Sequence, residues 1–235
     1  MRAGPVLALV IVLAAGAASS PLAAQRQELT VVGGGNFSSA SGGGIDKSTV
    51  RSGFQAGLSI RLPRSPMVSF QTELLVVQRR FNAERAPSSL PSYTVGPRSD
   101  APNLLFLQVP LTLRVQKGYS TARLFRPYLV VGPYFAIRLA CRRELVEASG
   151  GVTHPDCGVT GHGATVDPYF PALYQDIDVG FVGELGVEVR RLSLGVRGEK
   201  SIRPLVEAGA FPTSPLDRSK IWSISVSAGY LLRVL

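Results

Sequence analysis

Four residues in one stretch carry side chains that could do chemistry: His154, Asp156, Cys157 and His162. They are donor types of a zinc site, which needs three or four ligands in fixed geometry, but their spacing matches no zinc pattern. Ser149 with a histidine and Asp156 supplies the residue types of nucleophilic catalysis. Nothing in the spacing brings nucleophile and base within hydrogen-bond reach. The chain has two histidines, both in this stretch. The expectation is no catalytic residue, no metal and no cofactor. The two cysteines, Cys141 and Cys157, lie sixteen residues apart. In an exported chain such a pair reads as a disulfide, one that contributes roughly 3 kcal/mol in the chain-entropy description.

Two other motifs fail their context. Gly180, Gly183 and Gly186 suggest a phosphate loop, but no helix follows them and residues three apart in a strand face opposite sides. Asn36-Phe37-Ser38 matches a glycosylation sequon, yet falls on a predicted strand, where the surface loop such a site needs is missing.

A more informative set is Arg61, Glu73, Arg114, Arg138, Glu184, Glu188, Arg197 and Glu199. All sit inside runs where every second residue is apolar. Strict alternation predicts half-exposed strands, here over 28–37, 50–62, 67–81, 104–115, 126–139, 176–189, 192–202 and 220–234. That makes eight. The connections between them alternate in length. Residues 38–49, 82–102, 142–175 and 203–219 are long; 63–66, 117–124 and 190–191 are short. Transmembrane barrels pair short periplasmic turns with long extracellular loops. This pattern predicts an all-β, eight-stranded antiparallel up-and-down transmembrane β-barrel with both termini in the periplasm.

Volume decides which face is inside. The apolar parity supplies far more Leu, Val, Ile and Phe than an eight-stranded barrel can hold, since its interior is just wide enough for its own inward side chains. The apolar set therefore faces lipid. The inward set mixes Gly57, Ser59, Gln71, Gln108, Thr112, Gly132, Gly186, Gly195, Ser225 and Ser227 with the eight charges named above. Buried charges must be paired, so the expectation is a salt-bridged, closed lumen. Trp222, Phe81, Tyr128 and Tyr230 are candidates for interfacial girdles. Pro110 and Pro133 predict local bulges, because proline cannot donate to a ladder and a closed barrel has no edge.

The start of the chain reads as a leader. Met1-Arg2 is basic, residues 6–18 are apolar, and Ala23-Ala24 precedes the polar Gln25-Arg26-Gln27. This predicts a cleavable signal peptide over 1–24 and a barrel domain over 25–235. The formal net charge is +9. It suits attraction to phosphorylated lipid headgroups. Nucleic acid is not expected as a partner, because no basic helix or aromatic-basic platform is present.

Several pieces together resemble the bacterial outer-membrane β-barrel domain family that includes the PorT-like proteins. They are Phe70-Gln71-Thr72-Glu73-Leu74, Leu107-Gln108-Val109-Pro110-Leu111, Arg126-Pro127-Tyr128 followed by Gly132-Pro133-Tyr134, Asp178-Val179-Gly180 and Gly183-Glu184-Leu185-Gly186. The resemblance implies a place in the outer membrane of a Gram-negative-type bacterium. It implies outer-membrane lipid and, during biogenesis, the barrel-assembly machinery as partners. It does not imply one activity, because barrels of one architecture differ in task. The leading expectation is a non-enzymatic barrel with a structural role or an interaction role through its extracellular loops, any protein partner there being unspecified. The alternatives are a soluble lipocalin-like ligand-binding barrel, an outer-membrane lipid-modifying enzyme, and a part in protein export.

Overall fold

The structure is a computed structural model that describes residues 27–42, 45–85, 99–117, 125–146, 151–154, 175–204 and 219–234. Its strands are β1 (Glu28–Ser41), β2 (Ile45–Pro63), β3 (Val68–Arg85), β4 (Ser99–Gln116), β5 (Phe125–Val146), β6 (Val152–Thr153), β7 (Ile177–Val189), β8 (Leu192–Ser201) and β9 (Lys220–Val234). β6 is a two-residue addition to the end of β5, pairing with Leu145 and Val146. The other eight pair antiparallel with their neighbours in sequence, and β1 pairs with β9 to close a ring. This is a closed, eight-stranded up-and-down barrel. Closure pairs the eight wall strands on both sides over their shared length, which removes the sheet edge around the ring.

Alternation carries through to burial. On β8, Leu192, Leu194 and Val196 are exposed while Gly195, Arg197, Glu199 and Ser201 are buried. On β3, Phe70 and Leu74 are exposed, and Ser69, Gln71, Glu73 and Arg79 are buried. Leu185 is 66% exposed and Phe181 59%. An apolar wall of this extent on a water-soluble protein would be an aggregation surface; against hydrocarbon it is the expected one. A lipocalin-like barrel would carry these side chains inside.

Five strands outrun the sequence expectation. β2 starts at Ile45, β3 continues to Arg85, β4 starts at Ser99 and β5 continues to Val146. β1 runs to Ser41, so the Ser/Gly-rich stretch is mostly strand, and Gly42 adopts a left-handed backbone (φ 95°) at its end. β5 has 22 residues and β8 has 10. With ~3.3 Å per residue and ~40° tilt these span roughly 55 and 25 Å along the barrel axis. Only about 25 Å faces hydrocarbon, so β5 and its neighbours project well past it. Beyond that band nothing forces an apolar outer face, so alternation fades while backbone pairing continues.

The predicted bulges at Pro110 and Pro133 do not form. Pro110 pairs with Tyr134 and Pro133 with Phe181, without a register shift at either. Loss of one N–H removes a ladder bond but demands no inserted residue. The β4–β5 shift lies between Leu105 and Phe106, where Leu139 is the extra residue on β5. A bulge re-aims the side chains beyond it. Tyr134 and Ala136 are buried before it, Leu139 and Ala140 are exposed at it, and Arg143 is buried after it. The two-residue turn at Arg190-Arg191 does form, with Val189 paired to Leu192 and Arg190 at φ 55°.

The girdle expectation is corrected for two residues. Phe81 and Tyr128 are buried inside the barrel. Trp222 and Tyr230 are on the outward parity. The interior also holds an apolar layer at the loop end, where Phe81, Leu104, Phe106, Ala136, Val182 and Ile221 cluster and Cys141 packs against them.

Candidate functional site in the barrel lumen

Inward residues of every barrel strand meet in a charged network of three tiers. The lowest tier lies nearest the tight turns. Arg61 of β2 is ion-paired with Glu28 of β1 and bonds Glu188 of β7 at 2.9 Å. Its Nη1 also donates to Gln116 of β4 at 3.3 Å. Arg114 of β4 reaches the same Glu188 at 2.6 Å and stacks over the Tyr128 ring, 3.7 Å from its centroid.

The middle tier is built on Arg197 of β8. Nη1 and Nη2 donate to the two oxygens of Glu73 at 2.7 and 2.9 Å. Nε donates to Glu184 at 2.7 Å. Tyr128 Oη donates to Glu184 at 2.7 Å, and Gln71 Nε2 to Glu73 at 2.6 Å.

The upper tier is built on Arg79 of β3. It donates to Asp178 at 2.5 Å, to Glu199 at 2.9 Å and to Gln108 Oε1 at 2.9 Å. Tyr134 Oη donates to Asp178 at 2.9 Å, and Gln108 Nε2 to Glu199 at 2.8 Å. Ser201 and Ser223 add hydroxyl bonds to Asp178 and Glu199. The guanidinium also lies over the Phe106 and Tyr134 rings, 5.2 Å from each centroid.

Glycines make room for the tyrosine rings. Tyr128 sits opposite Gly186, and Tyr134 opposite Gly180. A Cβ on Gly186 would come within 2.4 Å of Tyr128 Cζ, and one on Gly180 within 2.6 Å of the Tyr134 ring. Ring against cross-strand glycine is a known way to pin register in barrels.

Seven of the eight charges expected in the lumen converge in these tiers: Arg61, Glu73, Arg114, Glu184, Glu188, Arg197 and Glu199. Arg138 does not. It pairs with Asp176 at the loop end of β5, and the Asp176 side chain is 78% exposed. The tiers also contain Glu28, Arg79 and Asp178, which sequence reasoning misses. Their signal is present, since Arg79 and Asp178 lie on the same parity as Glu73 and Glu184, six residues along each strand.

The guanidiniums of Arg79 and Arg197 are almost completely removed from solvent, the residues being 0% and 2% exposed. Beside Arg61, Glu73, Arg114 and Arg197 lies a polar cavity of about 30 Å³, large enough for ordered water. Chemically the arrangement neutralises buried charge and cross-links strands. His154 is exposed beside β6. Asp156, Cys157 and His162 lie outside the described residues, so the expected Cys141–Cys157 bond does too. No group of three metal-ligating residues occurs among the described residues.

An apolar outer wall around a charged, side-chain-filled interior defines a small outer-membrane β-barrel. A family model agrees: residues 19–207 match the outer membrane protein beta-barrel domain, and the chain belongs to that family. It is an outer-membrane protein. Solved structures with similar folds include the attachment invasion locus protein Ail of Yersinia pestis (11% identity, 87% of this chain and 98% of that one, TM-score 0.41). Others are OprG of Pseudomonas aeruginosa (15%, 89% and 97%, 0.46) and Neisserial surface protein A (11%, 87% and 97%, 0.44). No curated protein matches the chain.

Proposed function

We propose that this is a non-enzymatic barrel whose lumen is closed to ions and whose long hairpins present an interaction surface outside the cell. The observation that carries the reading is the seating of Arg79 and Arg197 across the interior, each bridging carboxylates from two other elements of the wall. A guanidinium held by two carboxylates blocks the path physically and leaves little mobile charge to conduct. Carboxylates engaged by arginine, tyrosine and glutamine in this way are poorly placed to act as bases or nucleophiles. Residues 1–24 act as the signal peptide in this reading.

The tight turns at 64–67 and 190–191 lie at the periplasmic end with both termini, and β3, β4 and β5 project outward. The test is protease added to intact cells expressing the chain with a C-terminal tag. Cleavage within 147–176 with the tag protected supports the orientation. Removal of the tag from intact cells, with the 147–176 segment spared, contradicts it.

A further inference from the structure

The outer wall carries one feature that a uniform lipid-facing surface does not require. Gly183 of β7 and Gly198 of β8 are cross-strand partners on the outward parity, flanked in the same row by Val131 of β5 and Ile224 of β9. A Cβ at either glycine would meet nothing within 4 Å. The result is an open groove of about 560 Å³ on the wall, its lining almost wholly apolar. One row closer to the loop end, Phe181, Lys200 and Trp222 are direct cross-strand neighbours. Lys220 shares the outward parity two residues before Trp222 on β9. Neither lysine has an ion-pair partner among the described residues.

Lys200 lies eight residues along β8 from Leu192 at the turn end, which is roughly 20 Å along the axis. In a band about 25 Å tall that is close to the far hydrocarbon edge, where a lysine is tolerated and its ammonium reaches the headgroups. The groove thus has an aromatic rim and two ammonium groups at headgroup depth, with a glycine floor below.

We infer that this groove binds an anionic membrane lipid of the outer leaflet, its phosphate held by Lys200 and Lys220 and one acyl chain lying over Gly183 and Gly198 between Phe181, Trp222 and Ile224. Charge favours lipid over a second copy of the chain. Two copies meeting here about an axis along the membrane normal would bring both lysine pairs together. The inference rests on the lipid-facing reading of the wall.

Trp222 is the only tryptophan, so it reports on this groove alone. The full mature barrel is inserted into phosphatidylcholine bilayers containing a minor share of brominated phosphatidylglycerol or brominated phosphatidylcholine, and Trp222 quenching is compared. Two lysines at an anionic surface give an expected enrichment of roughly tenfold or more for the anionic lipid. Lys200→Gln with Lys220→Gln brings the two lipids to parity, and Gly198→Val weakens quenching by both. Equal quenching in the unmodified chain overturns the inference, as does a preference that survives loss of the lysines. Protection of Trp222 from both lipids in an inserted barrel assigns the groove to a second copy and overturns it as well. Failure to insert at all overturns the lipid-facing reading itself.

Discussion

Arg79 repeats, one tier further along the lumen, the coordination of Arg197. Each guanidinium bridges two carboxylates: Glu73 and Glu184 for Arg197, Asp178 and Glu199 for Arg79. In each tier one carboxylate also accepts a β5 tyrosine hydroxyl, from Tyr128 or Tyr134, and the other a glutamine amide, from Gln71 or Gln108. The tyrosines stand six residues apart on β5, and their acceptors, Glu184 and Asp178, six apart on β7. Each of these two tiers carries one more carboxylate than arginine. The neutral donors satisfy the surplus, which an isolated buried ion pair could not do.

Removing either central arginine strands two carboxylates. Arg197→Met is expected to destabilise the barrel by about 3–5 kcal/mol, read by urea unfolding in lipid vesicles. Tyr128→Phe costs less, about 1–3 kcal/mol, and its cost shrinks in a Glu184→Gln background because the partners are coupled. Equal costs in both backgrounds would show that the hydroxyl acts elsewhere.

The two glycine classes separate cleanly. Gly186→Ala forces its Cβ onto the Tyr128 ring and is expected to cost about 1–3 kcal/mol. Gly183→Ala, with open space around its Cβ, is expected to be neutral or mildly stabilising. The same unfolding measurement reads both.

Arg138 and Arg190 test the margins of the network. The Arg138 partner is largely solvated, so Arg138→Ala should change stability by less than about 1 kcal/mol. Arg190 holds a left-handed backbone at the first turn position, which favours glycine. Arg190→Gly should stabilise by about 0.5–1 kcal/mol. A loss on Arg190→Gly would show that its side chain holds the turn.

The proposed Cys141–Cys157 bond predicts that intact-mass analysis finds alkylation of either cysteine only after reduction. Its loss in Cys157→Ser should cost no more than about 3 kcal/mol and leave the barrel closed, because the tiers do not involve it. Alkylation without reduction would remove the proposal.

The barrel is legible in the sequence because hydrocarbon on one side and a narrow interior on the other impose alternation on every strand. Glu184, Gly186 and Glu188 between Leu185, Val187 and Val189 can be assigned to a face by that rule alone. β5 is harder. Tyr128, Val130, Tyr134 and Ala136 face inward while Leu129, Val131 and Pro133 face out, so both parities look apolar and Tyr128 reads as a girdle residue. Its pairing with Gly186 is a long-range register fact that alternation does not encode. The projecting ends of β2 to β5 escape for the opposite reason: past the lipid no transfer energy patterns the outer face, and pairing alone leaves little trace in composition. Arg138 falls in the expected set because parity says which way a side chain points and not how far along the lumen it sits.

The central claim is that the tiers around Arg197 and Arg79 close the lumen, and single-barrel recording in a planar bilayer tests it most directly. Purified, folded protein should give no discrete conductance steps, while Arg79→Ala combined with Arg197→Ala, if it still folds, should admit intermittent ones. Reproducible steps from the unmodified barrel would contradict the account.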